Sequence, residues 1–368
     1  MQADRRSFLE ALALLPAAST LDARAVPGAT PQRWRGFNLQ EKFTDRPDEW
    51  AAVDPEWGHA NEPFLERDFE WIASLGFNFV RLPMSYRCWT DPRDPLRLLE
   101  PTLLQIDQAV NWGKQYGVHI CLNFHRAPGF CINGQLSPEP WNLWTDPAAL
   151  DIFTFHWKHF AQRYKGVPSG QVSFNPINEP NGCTLHQYAA AIRHVERAIR
   201  EIDLTRLIVV DGMFGETMLP VPELSDLPNV IHATRGYAPF SLTHYLAPWA
   251  GSPNVPPTWP TKSGELTVWD KDRLDQLCIL PEEGLCYRNP GARILVGEWG
   301  CWNRTPHDVT LRWMRDFLDL WKRAQWGWAL WCFRGSFGIL DSHRSDVRYE
   351  DWHGHKLDRK MLALLQEY

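Results

Sequence analysis

Nothing in this chain is built to grip a nucleic-acid backbone or to cross a bilayer. Its 368 residues carry 38 Lys+Arg against 44 Asp+Glu, a formal net charge of -6, and no run of Lys and Arg replaces the missing basic surface. The apolar run from Ala11 to Ala18 falls far short of the roughly 20 residues that a membrane span requires. Eight cysteines, Cys88, Cys121, Cys131, Cys183, Cys278, Cys286, Cys301 and Cys332, lack the close paired spacing of a zinc site. No Gly-rich dinucleotide fingerprint and no metal motif appears either, so no cofactor and no metal are expected. The expected partner is a small neutral or weakly polar molecule.

Tryptophan, by contrast, is abundant: 20 residues within an aromatic fraction of 13%. Indole is seldom fully buried and often keeps one wet face. Flat sugar-like ligands suit such a surplus, with extra core packing as the competing use. At the N-terminus, Arg5 and Arg6 precede Phe8, Leu9 and the apolar run, with small residues near Ala23 to Ala25. That order matches a twin-arginine export signal, weakened by Asp4 and Glu10. Residues 1–30 are thus expected to be leader and linker, 31–368 to be the working domain, and the destination to be periplasmic or extracellular. Export permits disulfides, and Cys278 with Cys286 is the nearest pair on one presumed loop. Cys121 and Cys332, inside apolar runs, are expected as buried thiols.

From Arg35 onward short apolar runs alternate with segments of helical period. Strands are expected near 35–39, 78–82, 118–124, 172–178, 207–211, 230–237, 294–298 and 328–333. Helices are expected over 64–75, 102–116, 148–164, 185–202, 308–324 and 358–366. Such alternation predicts βα units around a parallel sheet. Eight repeats of it predict a single (β/α)8 TIM barrel of the α/β class, with its active site at the strands' C-terminal ends. Between strands six and seven, 238–291 reads as a long Trp/Pro-rich loop, and Trp249, Trp259 and Trp269 favour a functional role for it.

The strand ends carry the chemistry. "FNFVRLP" delivers Arg81, "CLNFHRAPG" His125, "VSFNPINEPNG" Asn178 and Glu179, "IHATRGYAPF" Arg235 and Tyr237, "ILVGEWG" Glu298 and "GWALWCF" Trp331. A carboxylate at the end of a buried strand is costly unless it is paired or neutralised. Two of them on one rim suit glycoside hydrolysis, in which one carboxyl delivers a proton and the other assists at the anomeric carbon. A free glutamate of pKa ~4.3 is under about 1% protonated at pH 6.5, so the acid must be raised by burial and by its anionic partner.

At these residues the chain resembles glycoside hydrolase family 5, the cellulase-like branch of the retaining barrel glycosidases. The likeness runs from "RGFNLQEKF" at Arg35 to "EDWHGHKLDRKML" near the end. It implies Glu179 as acid/base, Glu298 as nucleophile and Asn178 on a sugar 2-hydroxyl. It further implies Tyr237 and Arg81 as supports of the nucleophile, and His125 and Trp331 around the cleaved sugar. The implied substrate is an oligo- or polysaccharide, with β-glucan the preferred guess and β-mannan, exo action or transglycosylation as same-family alternatives. A catalytically inactive carbohydrate-binding barrel is the alternative of another class.

One departure stands out. The family generally shows His-x-Tyr on strand six, where this chain has Arg235 two residues before Tyr237. Side chains alternate along a strand, so Arg235 is expected beside Tyr237 inside the barrel and His232 on the other face. A permanent cation there is expected to favour an ionised Glu298 and to alter substrate preference while hydrolysis survives. Pro176, read as lying inside strand four, is expected to force a bulge.

Overall fold

All eight apolar runs become parallel strands that close on themselves. They are β1 (Arg35–Asn38), β2 (Phe79–Ser85), β3 (His119–Ala127), β4 (Val172–Asn175), β5 (Leu207–Asp211), β6 (Val230–Gly236), β7 (Arg293–Trp299) and β8 (Gly327–Leu330). Each pairs in parallel with its neighbours, and β8 returns to β1 through Phe37 opposite Leu330. This is a (β/α)8 barrel. The computed structural model describes residues 33–44, 63–134, 137–215, 217–251, 254–261, 268–289 and 291–368. The expected leader, 1–30, lies outside them. Among the described residues no helix is long and apolar enough to cross a membrane.

The helical layer follows its apolar periodicity. It comprises α1 (Glu66–Ser74), α2 (Glu100–Tyr116), α3 (Pro147–Arg163), α4 (Leu185–Arg200), α5 (Leu280–Arg288), α6 (His307–Ala324) and α7 (Arg359–Gln366). Thr184 opens α4 with a capping box, accepting from the Gln187 N–H at 3.1 Å while Gln187 accepts from the Thr184 N–H at 2.9 Å. Seven tryptophans, Trp89, Trp157, Trp299, Trp302, Trp313, Trp321 and Trp328, are fully buried. Much of the tryptophan surplus is therefore core packing.

Three local expectations need correction. First, 238–291 is not one irregular loop. Lys271–Leu274, a π-turn at Asp275–Ile279 and α5 run on as a continuous helical segment. Pro281, the second residue of α5, falls just after the π-turn. Trp259 and Trp269 are buried, and Trp259 Nε1 donates to Asp316 on α6 at 2.8 Å; they anchor the segment and leave only Trp249 of the three for the cleft. Second, Cys278 and Cys286 lie eight positions apart on that helical segment, an axial rise of about 12 Å, beyond the reach of a disulfide. Third, β4 ends at Asn175, so Pro176 lies past the ladder and forces no bulge. The Pro176 carbonyl accepts from Trp157 Nε1 at 3.3 Å.

Inside the barrel, Phe79, Cys121, Leu207, Val209, Ile231, Ala233, Leu295 and Ala329 fill a dry layer. One step further toward the C-terminal ends the same inward rows change character to Arg81, Asn123, Asp211 and Arg235. The barrel thus has an apolar floor and a polar rim. Cys121 is a buried thiol in the floor, and burial pushes it up to about 11.

Candidate active site

Strict alternation from Leu295 would put Gly297 inside the barrel and aim Glu298 at the helices. The register forbids it. Val296 pairs with Thr234 and Glu298 with the next residue, Arg235, so one extra residue is inserted at Gly297. The bulge turns Glu298 inward. Gly297 also clears space, because a Cβ built there would fall 2.7 Å from Arg235 NH1. Gly297→Ala should therefore push the guanidinium off the carboxylates and lower kcat about 100-fold, the usual cost of a displacement near 1 Å. Steady-state kinetics beside a thermal melt checks this, and an unchanged kcat would contradict it.

Glu179 projects from the irregular turn after β4 with φ 45, a left-handed conformation that non-glycine residues seldom adopt. The turn is held by neighbours. Asn178 N donates to the Phe124 carbonyl at 3.0 Å and Glu179 N to Asp211 Oδ2 at 2.9 Å. Arg81 donates to Glu298 Oε1 at 2.5 Å, to Asn178 Oδ1 at 2.7 Å, and to Asn38 and Asn175, each at 3.0 Å. Tyr237 Oη reaches Glu298 Oε2 at 3.4 Å. Arg81 and Tyr237 thus converge on the one carboxylate of Glu298.

Arg235 lies on the inward row of Ile231 and Ala233, and His232 faces away from it. Its Nε is 3.2 Å from Glu179 Oε1, its NH2 is 3.4 Å from Glu298 Oε1 and donates to Asn178 at 2.9 Å, and its NH1 donates to the Thr234 carbonyl at 3.2 Å. NH2 also donates to Asp211 Oδ2. Every nitrogen of the guanidinium is spent on protein, so its influence on a substrate runs through the two glutamates. Because Arg81 and Arg235 both donate to Asn178 Oδ1, the amide nitrogen of Asn178 is turned the other way, 3.4 Å from Glu179 Oε2.

Burial, then the charge of Glu298, raises the Glu179 carboxyl to about 7 against the pull of Arg235. The His125 imidazole is held well below its ordinary value by burial and by Arg81 and Arg235, and so is neutral. It stacks on Trp331 at 5.5 Å and 19°, and its Nδ1 has no protein partner. A cleft of about 340 Å³ opens over these groups, lined by His125, Glu179, Tyr237, Trp249, Glu298 and Trp331. Phe214, Phe240 and Phe337 extend its apolar wall. Among the described residues no group of three or more His, Cys, Asp or Glu side chains is arranged to hold a metal ion.

All eight residues expected at the site therefore meet at one rim. The structure adds Asn38, Asn175, Asp211 and Gly297. Asp211 ends the apolar run "LIVVD" just as Glu298 ends its own, and Gly297 is a glycine inside a strand, the ordinary mark of a bulge or a close approach.

A family model of cellulase, glycosyl hydrolase family 5, matches residues 29–336. The chain belongs to that family. Endoglucanase C of Acetivibrio thermocellus is 24% identical over 314 residues, 79% of this chain and 90% of that relative. A glycoside hydrolase of known crystal structure shares 38% identity at a TM-score of 0.80, over 91% of this chain and 99% of that one. Cel5A of Thermotoga maritima, solved with mannotriose, superposes at a TM-score of 0.70 with 22% identity, covering 90% and 97%. This family 5 protein is accordingly an O-glycosyl hydrolase of endoglucanase-like type that acts on β-glycans.

Proposed function

We propose that this family 5 hydrolase cleaves a β-glucan or a closely related β-glycan by double displacement, with Glu298 as nucleophile and Glu179 as acid and then base. The observation that carries the reading is one guanidinium within 3.2 Å of Glu179 and 3.4 Å of Glu298. Two carboxyls that share it fit the short separation, about 5–5.5 Å, of a retaining pair. Glu298, gripped by Arg81 and Tyr237, attacks the anomeric carbon while Glu179 gives its proton to the leaving oxygen. Glu179 then takes a proton from the water that releases the sugar. The Asn178 amide nitrogen, turned toward Glu179, is the donor assigned to the sugar 2-hydroxyl, and Trp331 offers the ring a stacking face.

Substrate choice rests on kinship: the matched curated relative is named an endoglucanase, and Cel5A of Thermotoga maritima was solved with mannotriose and with cellobiose. Product chromatography on β-glucan, β-mannan, xylan and aryl β-glycosides, with Glu179→Ala as the blank, tests the reading. Short β-glucan oligosaccharides from wild type alone are expected. Binding without turnover on every glycan would favour the inactive carbohydrate-binding barrel instead.

The acid also sets a pH dependence. Glu179 works protonated, and its carboxyl stands at about 7. Above that pH its protonated fraction, and with it kcat/KM, should fall about tenfold per unit. A pH profile with an alkaline limb near 5 or above 9 would contradict the assignment.

A further inference from the structure

Asp211 ends β5 inside the barrel, with a side chain fully shielded from solvent. Its Oδ1 accepts from Asn175 Nδ2 at 3.0 Å. Its Oδ2 accepts from the Glu179 N–H at 2.9 Å and from Arg235 NH2, and lies 4.0 Å from Arg81 NH2. It touches the backbone of one proposed catalytic glutamate and the cation that bridges both.

A buried guanidinium without a counter-charge is costly. Five ionisable groups form this cluster: Arg81 and Arg235 against Asp211, Glu298 and Glu179. Two cations balance two carboxylates, and the third carboxyl is neutral only if it keeps its proton. Take away Asp211 and the enclosed cluster carries a positive excess, which loss of the Glu179 proton relieves at least expense. Facing Glu179 are Arg235 and Tyr237 from β6 and the turn after it, Glu298 from β7, Asp211 from β5, Arg81 from β2 and His125 from β3. His244 lines the same cleft and is neutral, since burial lowers it to about 3.

We propose that Asp211 is a positioning residue that acts with Arg235 as one neutral unit, fixing the backbone from which Glu179 projects and cancelling the charge that Arg235 brings to the acid. The inference rests on the reading of Glu179 as the acid/base. It also accounts for a cation at this position: Arg235 stands beside the acid because Asp211 stands behind it.

The test is a direct titration of Glu179 by carboxyl carbon-13 NMR in glutamate-labelled enzyme, assigned with Glu179→Gln, together with the pH profile of kcat/KM. Asp211→Asn keeps the shape and removes the charge. It should lower the Glu179 midpoint by about one unit or more, a tenfold change in acid dissociation, and shift the alkaline limb with it, while KM moves less than kcat. Asp211→Asn with Arg235→Gln should bring the midpoint back to within about half a unit of wild type, the non-additivity expected of a coupled pair. A midpoint unmoved or raised in Asp211→Asn, or a double variant that stays with the single one, would overturn the proposal. If Asp211→Asn does not fold, Arg235→Gln alone should raise the midpoint, and a fall would overturn it. The titration needs no substrate. If wild type cleaved no glycan yet titrated as described, the proposed function would fail and the Asp211–Arg235 unit would stand.

Discussion

Glu298→Ala should leave a folded barrel with at least about four orders of magnitude less kcat on a β-glycan, because the atom that forms the glycosyl bond is gone. Arg81 keeps acceptors on Asn38, Asn175 and Asn178 after the change, so its cation is not stranded. Removing one partner of a buried pair commonly costs about 3–5 kcal/mol, and those three remaining bonds should hold the loss below that range. Turnover of an aryl β-glycoside measured beside a thermal melt checks both halves. A variant within tenfold of wild type would remove Glu298 from the mechanism.

Glu179→Ala should lose about 100- to 10,000-fold on glycans, the usual contribution of a positioned acid or base. The loss should split by leaving group. A phenol that departs as a stable anion needs no proton, so the first step survives and the second, which needs the base, slows. Stopped-flow measurement with such an aryl glycoside should show a burst of one phenol per enzyme and then a slow phase. Equal slowing of both steps, with no burst, would mean that Glu179 does something other than trade a proton.

Both glutamates were legible in the sequence for one physical reason: a carboxyl at or just past the C-terminal end of an apolar barrel strand sits at the boundary between floor and rim. The same rule applies to Asp211, Asn38 and Asn175, whose short polar side chains end apolar runs. They were passed over because nothing local tells a network residue from a reacting one. The direction of Glu298 was not legible at all. Alternation from Leu295 aims it outward, and only the register between β6 and β7 reveals the extra residue at Gly297. Arg235 could be placed on the inward face from its spacing to Tyr237, yet its partners come from the turn after β4, from β5 and from β7, far apart in sequence. The helical stretch inside 238–291 was hidden by prolines before it and by Pro281 within it, which falls just after the π-turn at Asp275–Ile279. Tryptophan count misled in part, since Trp259 and Trp269 serve the core while Trp249 and Trp331 line the cleft.

The central claim is that Glu298 attacks the sugar and Glu179 completes the exchange, which fixes the stereochemistry of the product. Proton NMR of the anomeric region, recorded in the first minutes of hydrolysis and before mutarotation, reads it directly. The β-anomer should appear first and then decay to the equilibrium mixture. An α-anomer appearing first would mean a single displacement by water, and would contradict a covalent intermediate on Glu298.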